Sequence, residues 1–169
     1  ADMAMYEVKT SGRGGFSFFQ EALTSASVKR LQMETELRHA IAHGELELHY
    51  QPKVSLDSDA ISGVEALLRW RHPRRGLVSP MEFIPVAEAT GLIVPLGDWV
   101  VAEACRQSAA WKRALGHSVK IAVNISARQM QHGSLVEKIA ARIAEHGLKG
   151  LLRQGSIHIG QAAREPSFA

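Results

Sequence analysis

Cysteine is almost absent from this chain: Cys105 stands alone in 169 residues, which excludes an internal disulfide. It follows the apolar stretch Trp99 to Ala104 and reads as a small buried hydrophobe rather than a nucleophile. No run approaches the roughly 18 apolar residues that a membrane-spanning helix needs. Charged residues within Ala1 to Gly15 interrupt what would be the apolar core of a signal peptide, so the expectation is a soluble cytoplasmic protein. Charge of one sign is not in excess, with 20 Lys and Arg against 17 Asp and Glu and a net charge of +3. A nucleic-acid polymer is therefore not expected as a partner. There is no internal repeat, and no aspartate occurs after Asp98.

What is present has ordinary globular composition, 46% apolar and 22% charged, which supports a real core. Phe16, Phe18 and Phe19, after the glycines ending at Gly15, suggest a short strand. Ser25 to Ser27 suggest a linker and N-cap for a helix running to about His43, stopped by Gly44. Leu46, Leu48 and Tyr50 alternate with polar residues in a strand that ends at Pro52, and a turn rich in Asp and Ser leads to a second strand, Ile61 to Trp70. The short turn suggests an antiparallel pair. Ser79-Pro80 with Glu82 begins a helix stopped by Gly91, and Leu96 to Leu115 forms a longer one. Val119 to Ile125 reads as a strand buried on both faces, and Leu135 to His146 as a helix. The tail 151–169 lacks periodicity and is expected to be poorly ordered. Strand and helix alternation at this spacing suggests a parallel α/β sheet or barrel.

Alternation along Ile61 to Trp70 puts Glu65, Leu67 and Arg69 on one face and Val64, Ala66, Leu68 and Trp70 on the other. A carboxylate on an apolar strand needs a partner. Two are open for Glu65: an ion pair with Arg69 or another neighbouring basic residue, or a metal ion. In the later strand Asn124 shares a face with Ala122 and Ser126, opposite Ile121, Val123 and Ile125. If both strands line one barrel, Glu65 and Asn124 can face a shared centre at the strands' C-terminal ends, where oxygen ligands suit Mg²⁺ or Mn²⁺. The basic stretch Arg69, Arg71, Arg74 and Arg75 is a solvated loop or one that meets phosphate. His39 and His43 have metal-gripping spacing on a helix but no third ligand nearby, which favours a solvated face.

The motifs Tyr50-Gln51-Pro52, Glu65-Ala66-Leu67-Leu68-Arg69-Trp70, Arg71-His72-Pro73, Phe83-Ile84-Pro85 with Ala87-Glu88, and Val123-Asn124-Ile125-Ser126 together resemble EAL domains, over about Leu37 to Gly150. Residues 1–19 resemble the last helix and strand of a GGDEF diguanylate cyclase domain, through Ala1 to Tyr6, Lys9, Gly12-Arg13 and Phe18-Phe19. The implied layout is a GGDEF-like remnant at 1–19, a linker and helix start at 20–34, the N-terminal half of an EAL-like domain at 35–150, and a foreign tail at 151–169. The implied fold is an incomplete TIM-type (β/α) barrel with its first strand antiparallel and about three barrel strands present.

The activity implied by the resemblance is Mg²⁺- or Mn²⁺-dependent hydrolysis of cyclic di-GMP to linear pGpG. Glu65 and Asn124 would then be metal ligands, and Gln51, Leu68 and Arg69 would contact the dinucleotide, with Arg69 on a phosphate. The resemblance also implies acidic groups on later strands that this chain does not carry: after Asn124 its only acids are Glu137, Glu145 and Glu165. Two-metal hydrolysis needs several carboxylates to hold two dications roughly 4 Å apart. The expectation is therefore a truncated, inactive phosphodiesterase domain that does not assemble the metal pair by itself. The rivals are a non-catalytic cyclic di-GMP-binding module and a protein-interaction module. Exposed barrel edges would favour self-association.

Overall fold

In the computed structural model, residues 14–131, 135–146 and 157–161 are described. The elements in chain order are α1 (Gly14–His43), β1 (Leu46–Val54), β2 (Ile61–His72), β3 (Gly76–Val78), α2 (Pro80–Thr90), α3 (Ile93–Leu115), β4 (Ile121–Ile125), α4 (Ala127–Met130), α5 (Leu135–Glu145) and β5 (Ile157–Gln161).

The first hairpin is antiparallel as its turn suggests, with Leu46 opposite Trp70 and Gln51 opposite Glu65. β1 continues through Pro52 to Val54 rather than ending at the proline. It lies at the edge of the sheet, where the missing proline N–H breaks no ladder bond. β3 folds back on the end of β2, while β2, β4 and β5 run parallel, giving the order β1-β2-β4-β5.

Helices fill the return from β2 to β4. Ser79 caps α2 by accepting from Met81 N, Pro80 occupies the first turn, and Gly91 at φ 81° ends it, a left-handed conformation that costs glycine little. α3 packs Val100, Ala104 and Cys105 against Ala66, Ile121 and Val123 of the sheet, and Ile139 and Ile143 of α5 join this core. A second core gathers Leu37 and Ala40 of α1 around Trp70, Phe83 and Leu96. Trp70 is fully buried, and its indole Nε1–H donates to Glu45 at 3.0 Å, so the large ring is taken from water without orphaning its donor.

Four expectations change. The segment Phe16 to Phe19 lies inside α1 instead of forming a strand, and Ser25 to Ser27 are helical rather than a cap. A helix satisfies its backbone locally, whereas a strand there would need a partner; residues 1–13, the greater part of the expected GGDEF-like remnant, lie outside the described residues. β4 is buried on one face only, Ile121, Val123 and Ile125 inside and Asn124 exposed, because no described element covers the other face. The tail is not wholly unstructured, since Ile157–Gln161 pairs in register with β4 from Ile121↔Ile157 to Ile125↔Gln161. With β5 the sheet holds more than three strands. β5 supplies the hydrogen-bond partners that the free edge of β4 would lack.

Candidate functional site

The face of the sheet turned away from the helices carries Gln51 and Lys53 on β1, Glu65, Leu67 and Arg69 on β2, and Asn124 on β4, none of them buried. The alternation of each strand puts them there. Register then does what alternation cannot. β2 and β4 pair at Val64↔Ile121, Glu65↔Ala122 and Ala66↔Val123, which lets Asn124 Nδ2 donate to Glu65 Oε1 at 2.8 Å.

The second carboxylate oxygen of Glu65 lies 2.9 Å from Lys53 Nζ. Lys53 stands opposite Gly63, one diagonal step from Glu65, a span that a long side chain bridges. The counter-charge of Glu65 is thus a neighbouring basic residue, but not Arg69, whose Nη1 donates to Leu68 O at 2.9 Å. The hydrogen bond from Asn124, followed by that from Lys53, holds the Glu65 carboxyl below its ordinary 4.5 against the opposing effect of burial, with the charge of Lys53 adding the smallest contribution.

Beyond Ala66 and Val123 the pairing of β2 with β4 ends, and a cavity of about 280 Å³ opens with α3 as its floor. Leu68 and Arg69 line it from β2, Asn124 and Ser126 from the end of β4, and Ile84 and Glu88 from α2. Its shape depends on one close contact. Ser126 caps α4 in a reciprocal arrangement: its hydroxyl accepts from Gln129 N, and its own N–H donates to Gln129 Oε1 at 3.0 Å. The buried Gln129 carboxamide lies against Gly97 of α3, where a Cβ would stand 1.5 Å from Nε2.

Four of the residues expected at a site therefore converge: Glu65 touches Asn124, and Leu68 and Arg69 share the cavity with Asn124. Gln51 lies opposite Glu65 on the open face but outside the cavity lining. The other arginines are engaged elsewhere, Arg71 with Glu47 at 2.9 Å, Arg74 with Glu36 at 3.4 Å and Arg75 with Glu82 at 2.6 Å. They brace the turn after β2 against β1, α1 and α2. His39 and His43 are exposed and stack at 3.7 Å, with Nδ1 of His39 at Glu45 and Nδ1 of His43 at a backbone carbonyl. Lys53, Gly97 and Gln129 escaped the sequence reading, and Glu88 entered it only within a motif of the resemblance, without a place at the site. Of these, Lys53 alone left a signal, because it shares the parity of Gln51 two residues earlier.

Glu65 within β2 and Asn124 near the end of β4 thus meet beside a cavity lined by Arg69. The model of the EAL domain matches residues 34–151. The chain belongs to the EAL domain family. Among its relatives, the bifunctional diguanylate cyclase/cyclic di-GMP phosphodiesterase MucR of Pseudomonas aeruginosa is 45% identical over 149 residues, which is 88% of this chain and 22% of that protein. The cyclic di-GMP phosphodiesterase PdeR of Escherichia coli is 45% identical over 130 residues, 77% of this chain and 19% of that protein. This EAL chain thus spans about a fifth of the length of these curated relatives. A solved structure of the PaMucR phosphodiesterase in complex with c-di-GMP superposes with a TM-score of 0.70 at 41% identity, covering 79% of this chain and 54% of that one.

EAL phosphodiesterases are in general dependent on divalent metal, and Glu65 with Asn124 would be the metal-facing pair here. The donor set does not fit a dication. Both oxygens of Glu65 accept from nitrogen, and Asn124 turns its amide nitrogen, not its oxygen, toward the carboxylate. Among the described residues no group of three His, Cys, Asp or Glu could hold a metal ion. Among the described residues, too, no helix is long and apolar enough to cross a membrane.

Proposed function

We propose that this EAL domain recognises cyclic di-GMP through the face and cavity built by β2 and β4, and that these 169 residues do not by themselves hydrolyse it. The parent reaction is the metal-dependent opening of cyclic di-GMP to linear pGpG. The observation that carries the recognition half is the shared cavity of Leu68, Arg69 and Asn124 at the strands' C-terminal ends, the end at which β/α barrels place their sites. Arg69 offers a planar guanidinium to a phosphate, and its bond to the Leu68 carbonyl leaves further N–H groups to donate. Leu68 and Ile84 supply apolar wall for a base, and Gln51 adds an amide on the adjoining strand. The sheet is read as an arc of a TIM-type barrel, and the first nineteen residues as the remnant of a GGDEF-like domain.

The catalytic half is limited by charge. The described carboxylates of this face are Glu65 and, opposite Arg69, Glu47; Glu65 is already neutralised by Lys53 and Glu47 by Arg71. Two-metal chemistry has no acidic cage to work in. Calorimetric titration with cyclic di-GMP in chelator tests recognition. The parent chain is expected to bind, Glu65→Gln to bind comparably, and Arg69→Ala to bind roughly ten-fold or more weakly, as the loss of charge-assisted hydrogen bonds of about 1.5–3 kcal/mol dictates. Equal binding by a folded Arg69→Ala, or no binding by the parent, refutes the assignment. A hydrolysis assay with Mg²⁺ or Mn²⁺ is expected to show no turnover; turnover abolished by Glu65→Gln refutes the catalytic half alone.

A further inference from the structure

We infer that Lys53 is the resident cation of the Glu65–Asn124 pair, and that it excludes a divalent metal ion from that position. The inference rests on reading Glu65 and Asn124 as the metal-facing pair of the fold, and it explains why their geometry does not suit a metal. Lys53 Nζ lies 2.9 Å from Glu65 Oε2 while Asn124 Nδ2 lies 2.8 Å from Oε1. The two oxygens that a dication would coordinate are both accepting from N–H groups. A metal entering here has to displace the ammonium and turn the Asn124 amide end for end so that its oxygen faces inward.

Charge works in the same direction. Lys53, Arg69 and Arg71 outnumber Glu65 and Glu47 among the described residues of the open face, a balance that disfavours a dication until one of the cations leaves. The hairpin register builds the contact into the fold. Gly63 stands opposite Lys53 and has no side chain to obstruct the lysine stem as it crosses diagonally to Glu65. Gly63 cannot be filled, because a Cβ there would lie 2.8 Å from Lys120 O. An ammonium replaces the charge of a metal but not its Lewis acidity or its ability to activate water. The pair therefore remains neutralised and ordered without gaining hydrolytic chemistry.

Mn²⁺ alone is the probe, followed by electron paramagnetic resonance and calorimetry in the absence of any nucleotide, so the outcome is independent of dinucleotide binding. The parent chain is expected to show no saturable Mn²⁺ uptake that depends on Glu65 at millimolar metal. Lys53→Met, which removes the charge and keeps the stem, is expected to gain such uptake, tighter than in the parent by roughly ten-fold or more. Lys53→Arg is expected to exclude the metal as the parent does, and adding Glu65→Gln to Lys53→Met to abolish the gain. Lys53 is exposed at a strand end, so its replacement leaves both cores untouched, and circular dichroism verifies the fold. Saturable uptake by the parent that Glu65→Gln removes overturns the inference without reference to any Lys53 variant. So does a folded Lys53→Met that takes up no more Mn²⁺ than the parent.

Discussion

Gly97→Ala changes sign with its neighbour. Gly97 sits inside α3, where alanine is intrinsically favoured over glycine by about 1 kcal/mol. The space for the new methyl is held by the Gln129 carboxamide, 1.5 Å from an ideal Cβ at Nε2 and 2.7 Å at Cδ. Gln129 cannot yield freely, since its Oε1 accepts from Ser126 N in a buried contact. Moving it strands that N–H or forces the helix away, at about 1–3 kcal/mol. Gly97→Ala is therefore expected to destabilise the parent by up to about 2 kcal/mol. In a Gln129→Ala background the obstacle is gone and the same change is expected to stabilise by up to about 1 kcal/mol. Urea unfolding of the four proteins of this cycle measures the coupling, expected at about 1–3 kcal/mol. Additivity within about 0.5 kcal/mol, the behaviour of independent sites, refutes the assigned contact.

Acid affects the site through Glu65. Its folded carboxyl titrates below the ordinary 4.5, so its contribution to stability is complete above that value and is lost as pH falls through the lower folded one. Thermal melts between pH 3 and 6, a range of about 3 units chosen to span that loss, are expected to show a shallower acid decline for Glu65→Gln than for the parent. An unchanged slope contradicts the Asn124 and Lys53 contacts. Burial pushes the Cys105 thiol up to about 11 in the core between the sheet and α3. An aromatic disulfide reagent near neutral pH is expected to leave the native chain unmodified and to react once it is unfolded. Rapid native labelling refutes that packing.

Local chemistry in the sequence determined much of the framework. Leu46, Leu48 and Tyr50 alternating before a Ser- and Asp-rich turn dictated an antiparallel hairpin. Ser79-Pro80 and Gly91 marked the two ends of α2, because caps act within one turn of a helix. Parity placed Glu65 with Arg69 on one face of their strand and Asn124 on the face of its own strand opposite the buried Ile121, Val123 and Ile125. Parity does not say which residue on a neighbouring strand will be in reach. The pairing Gln51↔Glu65 and the diagonal step to Lys53 depend on hairpin register, and so the tertiary structure, not composition, chose Lys53 over Arg69 as the partner of Glu65. The fate of Phe16 to Phe19 and of Ile157–Gln161 was decided the same way. A short apolar segment has no preference strong enough to choose its state, and the choice falls to what can satisfy its backbone: the continuing turns of α1 in one case, the open edge of β4 in the other. The cavity beside Asn124 exists because β2 and β4 part after Ala66 and Val123 over the glycine of α3, a divergence between distant segments that no local pattern encodes.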